Sequence, residues 1–163
     1  MPANEFQVMT TKTISTGLLQ AAIILTGLGA VVVLAWFPLL EGRAANLDLP
    51  AIYLDPFILY GYAASAAFFT GLYQVFRLLG YVRRGECPSR KALGALRIIR
   101  YCAIVSAVLI AAAGLYIKVA HHPDDDPAGF LAMCMILIAV AVAVAFAAGS
   151  AERKWGAAVG REP

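Results

Sequence analysis

Apolar residues fall into four long blocks, 14–40, 57–79, 98–119 and 129–150, and most charged residues are pushed into the segments between them. No acidic residue interrupts any block. A bilayer core of roughly 30 Å takes about 20 helical residues to cross, and each block reaches that length. The pattern predicts an all-α fold: a bundle of four transmembrane helices, each antiparallel to the one before it, in up-down order. The expected helices cover 14–40, 57–81, 89–119 and 127–150, in a single membrane domain spanning 1–163 with flexible tails at 1–13 and 151–163.

Local signals place the helix ends. Asp55-Pro56 and Asp126-Pro127 each set an Asp suited to the N-cap before a Pro at the first helical position, where its missing N–H costs nothing. Pro88-Ser89 gives the third helix a similar start, with Ser89 as N-cap. That helix then begins outside the membrane, with Ala92, Leu93, Leu96 and Ile99 on one face and Arg90, Arg97 and Arg100 on an adjoining one. Alternating Ala and Val over 139–145 mimics a strand, but a lone strand leaves backbone groups unpaired in lipid, so a helix is required. Small residues recur at helical spacing: Ala139, Ala143 and Ala147; Ala103, Ala107 and Ala111; Gly61 and Ser65. Such faces predict close packing inside the bundle, with a homo-oligomer interface as the alternative.

Composition agrees with the pattern. A mean hydropathy of +0.77, with 61% hydrophobic and 14% charged residues, lies outside the range of soluble domains. The connections are too short for a second folded domain. Cys87, Cys102 and Cys134 are odd in number and lack CxxC spacing, so no disulfide framework is implied. The first block is longer than a signal-peptide core of about 7 to 15 residues and is expected to remain as a helix.

Charge then sets orientation. Arg83, Arg84, Arg90, Lys91, Arg97 and Arg100 lie between or near the ends of the second and third blocks, and Arg153, Lys154 and Arg161 follow the fourth. Arg43 and Lys118 stand alone on the other side. The positive-inside rule therefore predicts a multi-pass protein of a cell membrane with both termini cytoplasmic. The net charge of +3 is explained by these flanks, and direct nucleic-acid binding is not expected.

Three polar landmarks carry a resemblance. Leu72-Tyr73-Gln74-Val75-Phe76-Arg77-Leu78-Leu79, the stretch from Lys91-Ala92-Leu93 to Ile98-Ile99-Arg100-Tyr101-Cys102-Ala103-Ile104, and Asp124-Asp125-Asp126-Pro127-Ala128-Gly129 resemble domain-of-unknown-function family 2975. These are bacterial four-helix integral membrane proteins. The resemblance implies the bacterial inner membrane and no catalytic residue to carry over. It also implies a setting beside a small helix-turn-helix regulator, which suits a membrane protein that holds or signals to a transcription factor.

Candidate chemistry is sparse. Arg77 and Gln74 are polar groups inside the second block. Such groups default to functional hypotheses, although Arg77 lies near enough to the helix end to snorkel, with Tyr73 and Tyr81 one turn away on either side. His121, His122, Asp124 and Asp125 are the weak metal candidates; Pro123 interrupts them and no His pair has the i, i+4 spacing. Arg83, Arg84, Arg90, Lys91 and Arg97 are the expected partner-binding set, suited to an acidic protein or anionic lipid. No phosphate-binding glycine loop, Ser-His-Asp set or HExxH pair occurs, so neither catalysis nor a cofactor is expected. The leading expectation is a non-enzymatic sensor or sequestration partner of a cytosolic helix-turn-helix regulator. A small transporter, channel or efflux subunit, and a structural accessory subunit, are the alternatives.

Overall fold

The computed structural model describes residues 3–40, 54, 56–120 and 128–160, and all regular structure among them is helical. Four helices follow in chain order: α1 (Ala3–Leu40), α2 (Pro56–Arg83), α3 (Arg90–Ala120) and α4 (Ala128–Val159). Pro56 is the first residue of α2 and Ser89 immediately precedes α3, as the sequence signals require. Asp55, Asp126 and Pro127 lie outside the described residues.

Two helices are longer than expected. α1 begins at Ala3 rather than at 14, and α4 runs to Val159 rather than to 150. Most of both segments expected as flexible tails is therefore helix. No Gly or Pro stands between Ala3 and Thr16, and Ala151, Glu152, Arg153 and Lys154 are good helix formers. Extending an existing helix is far easier than nucleating one, so neither helix stops where its apolar run stops.

Contacts across the helices fix their directions. Tyr62, near the start of α2, donates to the carbonyl of Leu34 near the end of α1. Phe57 at the start of α2 stacks on Tyr116 near the end of α3 and meets Phe130 near the start of α4. Arg97 near the start of α3 pairs with Glu152 near the end of α4. Each helix thus runs antiparallel to its predecessor.

Packing is uneven. α3 and α4 share the most extensive contact, α2 packs on α3, and α1 rests mainly on α2. The tightest core lies where the end of α2, the start of α3 and the end of α4 converge: Leu96, Ile99 and Ala148 are buried, with Val75, Leu78, Ala151 and Trp155 packed around them. Ala92 and Ala95 are buried beside them. The predicted apolar face of the α3 extension is therefore real, and it forms the centre of the core. The small-residue stripe expected to pack on α4 is different. Ala139, Ala143 and Ala147 are exposed, whereas Ala148 and Gly149 are buried and Ala141 and Ala145 half-buried. The Ala-Val alternation places small residues on two helix faces at once, so spacing alone selects neither.

Among the described residues three helices are long and apolar enough to cross a membrane: α1 through Thr16–Trp36, α3 through Arg90–Val119, and α4 through Ala128–Val159. Of the four expected spans, these three are supported, and α2 is not apolar enough to be counted by composition. At 28 residues α2 is long enough, but Tyr60, Tyr62, Ser65, Thr70, Tyr73, Gln74 and Arg77 dilute its apolar content. Most of these polar groups have partners inside the protein. Tyr60 donates to the Leu109 carbonyl on α3 at 2.6 Å, and Tyr62 to Leu34 on α1 at 3.5 Å. Ser65 and Thr70 bond back to the carbonyls of Tyr62 and Ala66 in their own helix.

Candidate functional site

The cationic groups gather at the end of the molecule that also holds the core, on a turn built from two helix caps. α2 closes at Gly85, whose φ of +70° puts it in the left-handed region that glycine enters without penalty. Gly85 N–H donates to Val82 at 3.1 Å and Glu86 N–H to Tyr81 at 3.0 Å, the paired bonds of a Schellman cap. On the other side, Ser89 Oγ accepts from Ala92 N–H at 3.2 Å, which caps α3 as the sequence predicts. Arg83, Arg84, Arg90 and Lys91 are all exposed around this capped turn. None of the four forms an ion pair with another described residue.

Arg97, the fifth residue of the expected partner-binding set, is engaged differently. Its Nε donates to Glu152 Oε1 at 3.1 Å, and the Arg100 guanidinium stands 3.6 Å from Glu152 Oε2. Glu152 is only 18% exposed, and Oε2 is buried with no hydrogen bond from a described residue. One carboxylate on α4 therefore draws two arginines of α3 toward it. Arg97 remains 65% exposed, so the pair latches two helices at the surface. Sequence reasoning missed Glu152 because it placed 151–163 in a flexible tail. The available signal was a single acid in a run of strong helix formers directly after an apolar helix.

Gly149 sits one turn before Glu152. A Cβ at this position would lie 3.4 Å from Arg100 Cδ, so the arginine stem passes α4 within van der Waals range of this residue. Arg153 Nε donates to the Gly149 carbonyl at 3.3 Å. Arg100 and Arg153 thus converge on the same glycine from two helices.

Electrostatics at the turn also affect Cys87. Partial burial, and secondarily the neighbouring Glu86 carboxylate, push its thiol above the ordinary range. Its thiolate is disfavoured at neutral pH, which argues against a reactive nucleophile there.

Arg77 lies away from this group. Its NH2 donates to Tyr81 OH at 2.8 Å, and its guanidinium stands 5.8 Å from the Tyr73 ring centre and 5.9 Å from that of Tyr81. The predicted aromatic flanking is therefore present, with Arg77 exposed and directed along its own helix. Gln74, the other intramembrane polar candidate, is buried. The two candidates do not share a site. His121, His122, Asp124 and Asp125 lie outside the described residues.

The interior between helices is apolar. A cavity of about 210 Å³ touches all four helices and is lined by Leu34, Phe57, Tyr60, Leu109, Phe130 and Cys134 among others. A second, of about 240 Å³, lies between Phe68, Val75, Cys102, Ser106 and Val144. The two share Ile110 and Leu137 in their walls.

Against this geometry, residues 39–151 match the family described as protein of unknown function (DUF2975). The chain belongs to the DUF2975 family. A relative of similar length, the "Uncharacterized membrane protein YoaS" of Bacillus subtilis (strain 168), is 28% identical over 124 residues, covering 75% of this chain and 77% of its own. No solved structure matches. Together with the three apolar helices, these findings make the chain a helical membrane protein of the DUF2975 family. The DUF2975 match contains α2, α3 and nearly all of the apolar part of α4, with Gln74, Arg77 and the whole basic turn. Most of α1 precedes it, and Glu152 falls just beyond its end.

Proposed function

We propose that this is a non-enzymatic inner-membrane protein with four spans and both termini in the cytoplasm, and that its basic end recruits a soluble cytosolic regulator. The observation that carries the recruitment is the capped turn. Arg83, Arg84, Arg90 and Lys91 are held on a rigid connection between α2 and α3, exposed and without ion pairs among the described residues. A cationic cluster on a pre-ordered turn meets an acidic surface with little loss of conformational freedom. The helix-turn-helix neighbour implied by the family resemblance supplies a candidate of the right kind.

Support for four spans comes from α2. Its Tyr60 and Tyr62 donate to backbone carbonyls of α3 and α1, so these two hydroxyls need not face lipid. Antiparallel packing brings the start of α1, the 84–89 turn and the end of α4 to one end, where most of the Lys and Arg residues lie. This charge bias favours the cytoplasmic side. The transport alternative draws less support, because the cavities between the helices have apolar walls and Arg77 lies outside them.

The test is gentle solubilisation from the native membrane, recovery by a C-terminal tag after crosslinking, and mass spectrometry of associated proteins. A stoichiometric DNA-binding protein is expected with the wild type and is expected to be lost when Arg83, Arg84, Arg90 and Lys91 are together changed to Glu. Retention of the same partner by an inserted charge-reversed protein contradicts the recruitment surface. Recovery of the wild-type protein alone contradicts the partner.

A further inference from the structure

Beyond the basic turn, α3 and α4 form a groove on their lipid-accessible side. It encloses about 350 Å³ and is lined on α3 by Arg100, Ala103, Ile104, Ala107 and Val108, and on α4 by Val142, Ala145, Phe146, Gly149 and Arg153. Its two parts differ in chemistry. Over the first two turns beyond the arginines the walls are apolar, with Val108, Val142 and Phe146 well exposed. At the basic end both polar residues of the lining are arginines. The two meet at Gly149, which the Arg100 stem passes closely and whose carbonyl accepts from Arg153 Nε. An arginine held by Nε keeps its two terminal nitrogens for an acceptor, the fork that a phosphate takes.

We propose that this groove is a binding site for an anionic phospholipid, with the headgroup phosphate on Arg100 and Arg153 and an acyl chain along Ala103, Ala107 and Ala145. Both α3 and α4 are long and apolar enough to cross a membrane, so the groove runs in the direction of lipid chains. The arginines then stand near the end of the apolar run, at headgroup depth. Charge complementarity selects lipid over a second copy of the chain. Among the described residues of the basic end the acids are Glu5 at the start of α1, Glu86 and Glu152, fewer than the Lys and Arg residues there, and Glu152 already holds Arg97 and Arg100. A second copy would bring further arginines to this end, whereas an anionic lipid brings the missing negative charge. The site is separate from the basic turn at 83–91 and does not depend on partner recruitment.

The test uses full-length protein, stripped of lipid in mild detergent and titrated with phosphatidylglycerol, phosphatidylcholine or glycerol phosphate, with bound lipid read by native mass spectrometry. Phosphatidylglycerol is expected to be retained, and phosphatidylcholine and the free headgroup to be displaced by it. Arg153→Gln, which touches no ion pair, should weaken retention about fivefold, and Arg100→Gln with Arg153→Gln more than tenfold, by the scale of one basic residue at an anionic surface. Ala145→Phe, which fills the apolar part and leaves both arginines, should weaken phosphatidylglycerol as well. Lys154→Gln removes the same charge as Arg153→Gln from the next residue of α4, outside the groove lining, and should leave retention within twofold. Equal losses in Lys154→Gln and Arg153→Gln, unchanged retention in Arg153→Gln, or glycerol phosphate binding as tightly as the lipid would each overturn the proposal.

Discussion

α1 and α2 lie side by side and invert the usual relation between hydropathy and burial. α1 carries a stretch apolar enough to cross a membrane, yet apart from Thr16 none of that stretch is buried, and its Leu18, Leu25, Leu28 and Val33 are all exposed. α2 falls short on composition, yet it lies between α1 and α3 and sends a tyrosine to each. In lipid, apolar surface gains nothing by turning inward, so an apolar helix such as α1 has no reason to be central. The polar helix does, because its hydroxyls need acceptors and the neighbouring helices provide them. Composition therefore marks α1, α3 and α4 as long and apolar enough to cross a membrane and leaves out α2, which packs between α1 and α3.

The largest expected effect that sharpens this contrast comes from paired glycine substitutions. A Cβ on Gly71 of α2 would stand 3.3 Å from Cys102 Cβ, whereas one on Gly29 of α1 would meet nothing within 4 Å. Gly71→Leu should destabilise the folded protein by about 1–3 kcal/mol, and Gly29→Leu by less than about 0.5 kcal/mol, in denaturant titrations from mild detergent. Equal effects would erase the distinction between the two helices. Next, Glu152→Gln weakens the latch between α3 and α4. With Arg97 65% and Arg100 50% exposed, the loss should be only about 0.5–1 kcal/mol, shrinking as salt is raised. A smaller change is expected from Tyr60→Phe, about 0.6 kcal/mol, with Tyr62→Phe smaller still because its bond is 3.5 Å against 2.6 Å. If Tyr62→Phe costs more than Tyr60→Phe, α2 is tied chiefly to α1 and the comparison reverses.

The smallest effect concerns Cys87. Its raised thiol pKa means that alkylation should gain rate at a higher pH than for an unburied thiol. Glu86→Gln should shift the profile slightly toward lower pH, since burial is the larger cause and remains. The sign for stability follows: protonated Cys87 is favoured in the fold, so any contribution is present below the ordinary thiol range and is lost as pH rises from that range through the raised value in the fold. A profile that moves upward in Glu86→Gln would contradict this assignment.

Much of the architecture was legible because its signals are local. The apolar blocks marked four helices, Pro56 and Ser89 marked two starts, and the Ala92, Leu96 and Ile99 face marked a core. Three features were not legible, each for a different reason. The long ends of α1 and α4 follow from propagation, which leaves no boundary residue. The packed face of α4 was hidden because Ala139, Ala143, Ala147 and Ala141, Ala145, Gly149 obey the same spacing. The Glu152 latch joins positions 55 residues apart, a separation that no local pattern encodes. Of the candidate site, the exposed turn cations were read directly from the sequence, while the role of Arg97 as a helix latch needed the fold.

The central claim is that α2 crosses the membrane despite its polar content, and side-specific labelling tests it most directly. In a background with Cys87, Cys102 and Cys134 replaced by Ala, Ala45→Cys and Arg84→Cys flank α2 and are probed singly in intact spheroplasts with a membrane-impermeant maleimide. The account predicts that Ala45→Cys labels at once and Arg84→Cys labels only after permeabilisation. Labelling of both from the same side would contradict it.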